Sequence, residues 1–270
     1  MPEFYEPEVL SKLQHIEMDI VRDFVKICKE HNLIYFGYAG TGIGALRHKG
    51  YIPWDDDIDI SMPRPDYDKL ISLIGSNSSY MVLTPANCDF YYNFAKVVDT
   101  RTTLCEIDNT PIKNMGVYID IFPLEGMPDN DIEREQHYKQ LDRVREKIKS
   151  FAHGKPRLRK NLPAYVKDYH DYIRNKKINL QDLQKEYETL ARKYDYDSSE
   201  YVYATGGAYK RKDIFLKKMF CDGVSVEFEH VLFTAPTEYD AYLSHLYGDY
   251  MKLPPVEKRI SNHNYEAEFK

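Results

Sequence analysis

The sequence is poor in cysteine and lacks a long apolar run. Its 270 residues include four cysteines, at positions 28, 88, 105 and 221, and no pair has the C-x-x-C spacing. Widely separated cysteines favour a reduced, cytoplasmic protein, and they predict neither a disulfide framework nor a zinc site. The N-terminal residues contain no apolar signal core, and no segment reaches the length of about 18 apolar residues that a membrane span requires. We therefore expect a protein that is neither secreted by a standard signal nor membrane-spanning.

Positive charge is outnumbered in the chain as a whole. The 37 lysines and arginines stand against 43 acids, which gives a formal net charge of −6. An acidic chain is a poor default binder of nucleic acid, so no nucleic-acid partner is expected. Hydrophobic residues make up 43% of the sequence, a fraction that favours an ordinary folded protein over a disordered one.

The most informative feature is a run of acids that alternates with isoleucine. Asp55, Asp57 and Asp59 are two residues apart from one another, and Ile58 and Ile60 lie between and after them. In a strand, such acids all point to one face and the isoleucines point to the other. Adjacent carboxylates repel each other unless a cation binds between them. Oxygen ligands of this kind suit Mg²⁺ or Mn²⁺, which in turn suit phosphate substrates.

A solvated loop is the alternative interpretation of the acid run. The alternation of the acids with apolar residues, closed by Pro63, favours a strand. Upstream, Gly40-Thr41-Gly42 follows an apolar and aromatic run at 33–38 and precedes a predicted helix. A strand, a glycine turn and a helix in this order present backbone N–H groups to a phosphate. The glycine turn alone is a weak signal. Together with the acids it predicts one site, in which the glycine turn binds phosphate and the acids bind metal.

The spacing of apolar residues predicts a mixture of helices and strands. Helices are expected over residues 8–31, 65–74, 129–152, 164–194 and 239–247, and directly after Gly42. Strands are expected over 33–38, 80–84, 201–204, within 224–234, and over 116–122, where Pro123 would end the strand. Residues 90–100 and 102–107 are expected to form a β-hairpin.

Three stretches of the chain resemble one enzyme family. Residues 40–70, reading GTGIGALRHKGYIPWDDDIDISMPRPDYDKL, are similar to the signature of the LicD family of phosphotransferases. That family includes the fukutin-related proteins and belongs to the nucleotidyltransferase-fold superfamily. GVYIDIFPL at 116–124 resembles the family's third-acid strand, and residues 247–263 resemble its C-terminal signature. The resemblance covers the chain from about residue 33 to near its end.

The resemblance implies an α/β (α+β) fold. We expect a nucleotidyltransferase-like mixed β-sheet flanked by helices, with a helical insertion and a C-terminal extension. The chain is expected to form one unit over residues 1–270. Within it, 8–127 would be the catalytic core, 128–200 a helical region, and 201–270 a C-terminal segment that completes the site.

The resemblance also implies a catalytic metal site. Asp57, Asp59 and Asp120 would be catalytic and would hold Mg²⁺ (or Mn²⁺), and Asp55 is a candidate for an additional ligand. Asp120 lies between two isoleucines of a predicted strand. Burying an acid there without a partner would be costly, and the resemblance implies that the partner is the metal shared with Asp57 and Asp59. Alternatively, Asp120 would take the proton of the acceptor hydroxyl as a general base.

Further residues are predicted to bind the substrate, and each has a plainer alternative. Arg47 is expected near a helix C-terminus, where a cation is favourable without any ligand. Lys96 could instead face solvent, Trp54 could be a packing residue, and Arg259 and His263 could anchor the C-terminal segment. The predicted substrate-binding set is Gly40, Thr41, Arg47, Trp54, Lys96, Arg259 and His263.

The function implied by the resemblance is transfer of a phospho-alcohol, typically phosphocholine. CDP-choline or another CDP-alcohol would be the donor, CMP would be released, and a sugar hydroxyl of a cell-surface glycan precursor such as teichoic acid or lipopolysaccharide would accept the group. The acceptor would be a glycan or a lipid-linked oligosaccharide. Two alternatives stay open: a nucleotidyltransferase that uses a nucleoside triphosphate and a small hydroxyl acceptor, and a non-catalytic glycan-binding scaffold.

One segment is strongly basic. Residues 139–160 carry nine lysines and arginines against two acids. They form either a solvated helix face or a docking surface for a lipid-phosphate acceptor or an anionic membrane. The second interpretation predicts peripheral association with the inner face of the cytoplasmic membrane.

Overall fold

The computed structural model of the protein describes residues 7–74, 79–87, 89–107, 109–152, 162–175, 179–261, 263 and 265–269. In this part of the chain the helices are α1 (Pro7–His31), α2 (Ala39–Ile43), α3 (Arg64–Ile74), α4 (Asp131–Ala152), α5 (Leu162–Asn175), α6 (Leu180–Ala191) and α7 (Tyr239–Tyr247). The strands are β1 (Phe36–Gly37), β2 (Asp59–Pro63), β3 (Tyr80–Leu83), β4 (Ala95–Asp99), β5 (Thr102–Glu106), β6 (Tyr118–Met127), β7 (Tyr201–Ala204), β8 (Ile214–Leu216), β9 (Val224–Phe228), β10 (Val231–Ala235) and β11 (Tyr265–Phe269). Helix α2 continues into a π-helical turn, Gly44–His48.

Seven strands form one mixed sheet. Its path runs β1–β2–β6–β4–β3, and β6 also pairs with β7, which in turn pairs with β8. Strands β2 and β6 are parallel, whereas the other pairs in this sheet are antiparallel. Two small antiparallel sheets, β9–β10 and β5–β11, complete the strand pairing of the described residues. A mixed sheet with helices packed on it confirms the predicted α+β class.

Helix α1 covers one face of the sheet and confirms the helix predicted over residues 8–31. Its Val21 and Phe24 are buried in a cluster that also contains Ile58 and Ile60 from the acid stretch. Full burial of a side chain of this size stabilises the fold by about 1.5–3 kcal/mol. The isoleucines are therefore held in the core, as their alternation with the acids predicts.

The helical region packs on the same sheet. Leu141 of α4 and Tyr187 of α6 are fully buried in a cluster with Val98 of β4. Since α4 and α6 contact each other as well, they form a layer that closes the sheet beside the pocket described below. None of the described helices is both long enough and apolar enough to cross a membrane.

Strand β6 is longer than predicted, because it continues through Pro123 to Met127. Its neighbour changes at this proline: β4 pairs with it up to Ile121, and β7 pairs with it from Leu124 onward. On its other edge β6 stays paired with β2, where Met62 is opposite Pro123. Proline has no N–H for a sheet hydrogen bond, but on the edge where β4 is replaced by β7 neither strand is paired with Pro123. The prediction that Pro123 ends the strand is therefore wrong.

The predicted hairpin of residues 90–100 with 102–107 does not form. Strand β4 lies between β3 and β6, so neither of its edges is open to β5. Strand β5 pairs instead with β11, in register from Glu106 opposite Tyr265 to Thr102 opposite Phe269. The C-terminal segment therefore ends in a strand, β11.

Two further predictions on local structure are corrected. The first strand is limited to Phe36–Gly37, and the helix after it begins at Ala39, so Gly40 and Gly42 lie within α2 and not in a turn before it. The helix predicted over 164–194 is divided into α5 and α6. Asn179 begins α6 as its N-cap, since its side chain accepts a hydrogen bond from the Gln181 N–H.

Candidate active site

A pocket of about 560 Å³ opens where the loop before β2 meets β4, β6 and the loop after β7. It contains most of the polar residues that the sequence singles out. Of the predicted site residues, those lining it are Gly40, Trp54, Asp55, Asp57, Asp59, Lys96, Asp120 and His263.

The sheet places three of these residues side by side. Asp59 on β2 is in register with Asp120 on β6, and Asp120 is in register with Lys96 on β4. Residues that face each other on adjacent strands point to the same side of a sheet. The two acids and the lysine therefore form one row across the floor of the pocket.

In the structure the partner of the buried Asp120 is Lys96, which the sequence analysis assigned only to substrate binding. Its Nζ atom donates hydrogen bonds to both carboxylate oxygens of Asp120, at 2.7 and 3.0 Å. The same Nζ lies 3.4 Å from the ring centroid of Tyr118 and 4.7 Å from that of Tyr92. Burial raises the pKa of Asp120, and Lys96 limits the rise, to about 6. Lys96 is only 2% exposed, so it does not face solvent as the alternative interpretation holds.

The acids before β2 lie in a loop and not in a strand. Only Asp59 belongs to β2, so the prediction of a continuous strand through Asp55 and Asp57 is wrong. The Asp55 N–H donates to the Ile52 carbonyl and closes a turn, while the Ile58 carbonyl accepts a hydrogen bond from the Asp120 N–H. The chain therefore runs beside β6 just before the strand begins, and the carboxylates of Asp55 and Asp57 still line the pocket.

Asp56 lies between two acids that line the pocket, but it has a different structural role. It is only 2% exposed and accepts hydrogen bonds from Ser261 Oγ and, at 3.1 Å, from His263 Nδ1. The pairing of β11 with β5 holds Tyr265, and the ring of His263 stacks on that tyrosine with a centroid distance of 5.1 Å. Asp56 thus fastens the C-terminal segment to the acid loop.

His263 brings positive charge to the pocket. Its Nδ1 lies 3.8 Å from Asp57 Oδ2 as well as within hydrogen-bond distance of Asp56. Burial lowers the pKa of His263, but the hydrogen bond to Asp56 and the charge of Asp57 outweigh burial and raise that pKa to about 9. The imidazole is therefore protonated at neutral pH.

The carboxylates of the pocket repel one another. Burial, followed by the charges of Asp57, Asp120 and Asp55, raises the pKa of Asp59. Burial also raises the pKa of Asp55, with Asp57 as the next cause. A divalent cation would relieve this repulsion, and an all-carboxylate set with hard oxygen atoms fits Mg²⁺ or Mn²⁺. The residues present therefore fit the metal that the resemblance implies.

Gly40 and Thr41 shape the acid loop from α2. A Cβ atom at Gly40 would lie 2.8 Å from Asp55 Oδ2, so a side chain here would displace that carboxylate. Thr41 Oγ1 accepts a hydrogen bond of 2.8 Å from the Asp59 N–H. Both residues thus position acids, and their predicted contact with phosphate stays a prediction.

Like Thr41, the predicted substrate-binding residues Arg47 and Arg259 lie outside the pocket lining. The guanidinium of Arg259 lies 5.7 Å from the ring centroid of Trp54, and its Nε donates to the Pro254 carbonyl at 2.9 Å. Arg47 donates to the Tyr250 carbonyl through Nη1, and burial lowers its pKa, with the nearby charge of Arg259 as a second cause. Both arginines contact the C-terminal segment, and the predicted roles of Arg47 in phosphate binding and of Arg259 in substrate binding stay predictions.

Sequence reasoning missed one wall of the pocket. The loop after β7 contributes Gly206, Gly207 and Tyr209, while Arg145 and Lys149 come from successive turns of α4. Consecutive glycines are typical of a turn, so Gly206 and Gly207 could have been predicted from the sequence as a loop whose backbone can closely approach other groups. The two cations belong to the basic segment 139–160, of which 153–160 lie outside the described residues.

Comparisons with known proteins agree with the geometry of the pocket. Residues 32–153 match the family model described as "LicD/FKTN/FKRP, nucleotidyltransferase domain". The chain is 30% identical over 266 residues to "Lipopolysaccharide cholinephosphotransferase LicD" of Haemophilus influenzae, and the match covers 96% of this chain and 97% of the relative. Uncharacterised proteins of Rickettsia prowazekii and Rickettsia typhi are 38% identical over 47 residues, which is 17% of this chain.

An acid-rich pocket on a mixed sheet, in a chain that matches a transferase over nearly its full length, defines the class of protein. The protein is an enzyme, a phosphotransferase. More particularly, the chain belongs to the LicD family.

Proposed function

We propose that this enzyme transfers phosphocholine from CDP-choline to a sugar hydroxyl of a cell-surface glycan precursor and releases CMP. The observation that carries the proposal is the match over 96% of the chain to a relative named as a lipopolysaccharide cholinephosphotransferase. Lipopolysaccharide is therefore the first acceptor to test, and a teichoic acid precursor is the second. The pocket supports phosphoryl transfer because its acids fit a cation that binds a diphosphate.

The proposed metal ligands are Asp57, Asp59 and Asp120, with Asp55 as an additional candidate. A bound Mg²⁺ or Mn²⁺ would neutralise charge on the diphosphate. Asp120 is held in place by Lys96, and this buried ammonium keeps one positive charge on the pocket floor. Lys96 would therefore attract the phosphate oxygens as well as orient an acid.

His263 supplies the second fixed positive charge. Because Asp56 and the stack on Tyr265 set the orientation of its ring, the imidazolium is positioned before substrate arrives. Trp54, which lines the pocket and is approached by Arg259, offers an aromatic face near the acids. Such a face attracts a quaternary ammonium group, although Trp54 is equally a packing residue.

The test is CMP release from CDP-choline, with Mg²⁺ present or chelated. We expect metal-dependent CMP release by the wild type and a fall of at least about 100-fold in Asp59→Asn, because the substitution removes charge from the metal site. Asp222→Asn is the matched control, since Asp222 is an exposed acid that does not line the pocket. The control should retain wild-type activity.

Other outcomes would identify a different reaction. CMP release from CDP-ribitol or CDP-glycerol, but not from CDP-choline, would keep the mechanism and change the alcohol. Pyrophosphate release from CTP with every CDP-alcohol inert would identify a nucleotidyltransferase and contradict the proposal. Glycan binding without turnover of any donor would point to the scaffold alternative.

We also propose a cytoplasmic location for the reaction. The described cysteines, Cys28, Cys105 and Cys221, are all free thiols, which is the state that a reducing compartment favours. Fractionation of cells that produce the tagged protein would test the location.

A further inference from the structure

A second pocket lies beside the active site, lined mainly by strand β5 and by residues 110–112, 114 and 115. We call it the β5 pocket. Its volume of about 560 Å³ is within the range of about 300–1,000 Å³ that small-ligand sites have. Tyr91 lines both the β5 pocket and the active site, so the two pockets share a wall at this residue.

A series of contacts leads from the β5 pocket to the row of acids in the active site. Glu106 lines the β5 pocket, and its two carboxylate oxygens accept hydrogen bonds of 2.8 and 2.9 Å from the hydroxyl of Tyr92. Tyr92 lines the active site, and its ring centroid is 4.7 Å from the Nζ atom of Lys96. Because Lys96 binds Asp120, a molecule that extends from the β5 pocket into the active site would approach Asp120 from the side of Tyr92.

The end of helix α4 fixes the position of the β5 pocket relative to the active site. Thr110 lines the β5 pocket, and its backbone N–H donates a hydrogen bond of 2.7 Å to the carbonyl of Ala152, a residue that lines the active site. The Thr110 hydroxyl donates to the Phe151 carbonyl at 2.9 Å. The two pockets are therefore joined by hydrogen bonds to the backbone of α4.

Two polar side chains of the β5 pocket are available to a ligand. Thr103 and Asn114 line the pocket and are exposed, and neither side chain forms a hydrogen bond with another described residue. A hydroxyl and a carboxamide both donate and accept hydrogen bonds, as the hydroxyl groups of a sugar do. Leu104, Ile112 and Met115 provide apolar surface in the same pocket. Exposed polar side chains are ordinary in themselves, but here they lie in a cavity that adjoins an active site.

Other classes of ligand fit the described lining less well. Among the described lining residues Glu106 is charged and the others are neutral, so the diphosphate of the donor would meet an acid and no cation there. Glu106 already accepts hydrogen bonds from Tyr92 and Asn109, which makes it a poor ligand for a cation. An alkyl chain would remove water from Thr103 and Asn114 without replacing their hydrogen bonds. A neutral saccharide meets both requirements, since it offers hydroxyl groups and a compact carbon frame.

We propose that the β5 pocket binds an uncharged sugar residue of the acceptor glycan, next to the sugar that accepts the phosphocholine. The charged donor and the neutral part of the acceptor would then occupy separate, neighbouring pockets. The assignment of this sugar to the acceptor rests on the proposed function. The binding of a neutral saccharide requires neither the donor nor a metal.

The test is saturation-transfer difference NMR of the full-length protein with three methyl β-glycosides, those of glucose, galactose and N-acetylglucosamine. CDP-choline and Mg²⁺ are left out. We expect saturable binding of at least one of the three glycosides. The variant T103V/N114G should raise its dissociation constant about tenfold, because two hydrogen-bonding side chains are removed. Inorganic phosphate should not displace the glycoside.

The matched control T189V/N32G removes the same groups from exposed positions outside both pockets. Asn114 and Asn32 have φ angles of 61° and 52°, so glycine suits both positions equally. The control should bind the glycoside as the wild type does. Should T103V/N114G not fold, T103V alone should still weaken binding, by about threefold.

Three outcomes would overturn the assignment of the β5 pocket. They are no binding of any of the three glycosides, displacement of a bound glycoside by inorganic phosphate, and a loss of binding in T103V/N114G that is absent or no larger than in the control. CMP release from CDP-choline by the wild type tests the proposed function separately. Glycoside binding without CMP release would contradict the proposed function alone, whereas CMP release without glycoside binding would contradict the β5 pocket proposal alone.

Discussion

Two acids of the same strand, β6, form buried ion pairs that have different roles. Asp120 pairs with Lys96 on the pocket floor, and Glu125 pairs with Arg64. The two acids are five positions apart, so they point to opposite faces of the strand. All four side chains are nearly inaccessible to solvent.

The surroundings of the two pairs differ in charge balance. Arg64 also lies 3.3 Å from both Asp68 and Glu188, and Arg192 binds these same two acids, so cations and acids alternate in this network. At the pocket, Asp120 is close to further acids, and the nearby cations are Lys96 and His263. The first network has two arginines for three acids, whereas at the pocket Asp55, Asp57, Asp59 and Asp120 share the charges of Lys96 and His263. Under the proposed function, a bound divalent cation would offset this larger excess of negative charge. A buried ion pair therefore indicates a functional site when the acids around it clearly outnumber the cations.

The largest expected difference between the pairs is in activity. Asp120→Asn should reduce CMP release at least about 100-fold, because it removes a ligand charge from the proposed metal site. Glu125→Gln should leave the rate within a few-fold of the wild type, because Glu125 does not line the pocket. The measurement is the initial rate with saturating CDP-choline and Mg²⁺. Equal losses in the two variants would show that the pairs do not differ in function.

The next difference concerns stability. Arg64→Met leaves Glu125 buried without its cation, and it should reduce the free energy of unfolding by about 3–5 kcal/mol. Lys96→Met leaves Asp120 in a pocket where a divalent cation can replace the ammonium charge. Its loss of stability should therefore be smaller in Mg²⁺ than in chelator, whereas the loss in Arg64→Met should be the same in both. Urea unfolding monitored by the fluorescence of Trp54 measures all four values.

Metal binding itself should stabilise only the unbalanced site. At a Mg²⁺ concentration about 100 times the dissociation constant, the wild type should gain about 2.7 kcal/mol. Asp57→Asn should lose most of this gain, yet in chelator it should melt at or above the wild-type temperature, since one repelling charge is gone. Differential scanning calorimetry with and without Mg²⁺ checks both parts. A variant that melts below the wild type in chelator would contradict the view that the acids repel one another.

A third buried acid, Asp213, forms a hydrogen bond with Tyr38 and no ion pair with a cation in the described part of the chain, and it should show the smallest effect. Tyr38 donates a hydrogen bond to it, and burial raises the pKa of Asp213 to about 7. A raised carboxyl pKa means that the folded state holds the proton more tightly than the unfolded state does. Stability from this group is thus complete below about pH 4 and is lost as the pH rises through 7.

Asp213→Asn should remove that part of the pH dependence. The difference in unfolding free energy between variant and wild type should shift in favour of the variant by at least about 1 kcal/mol between pH 4.5 and 7.5. Urea titrations at several pH values measure this difference. A constant difference across the range would show that Asp213 does not titrate there.

Local pattern was enough to predict the parts of the site that lie on strands. The alternation of acids with isoleucines placed Ile58 and Ile60 in the core, and the isolated acid between isoleucines at Asp120 indicated a buried, partnered carboxylate. Periodicity reports which face a residue occupies, and that information is local. The row of Asp59, Asp120 and Lys96 follows once their strands pair.

Pairing between distant segments could not be predicted in the same way. The contact of Asp56 with His263 depends on β11 pairing with β5, and nothing in either strand specifies that partner. Asp55 and Asp57 were assigned to a strand because alternation does not reveal that the ladder begins only at Asp59. The wall formed by Gly206, Gly207 and α4 was missed for a similar reason, since its parts are separate in sequence and meet only in the folded chain.

The link between Asp56 and His263 joins positions that are 207 residues apart. The acid loop and all strands of the main sheet are therefore synthesised before His263, the residue that contacts the acid loop. During synthesis the acid loop therefore lacks its contact with His263 until the C-terminal residues have been made and β11 pairs with β5. Contacts of such long range form slowly. Translation thus delays assembly of the pocket until nearly all of this chain has been made.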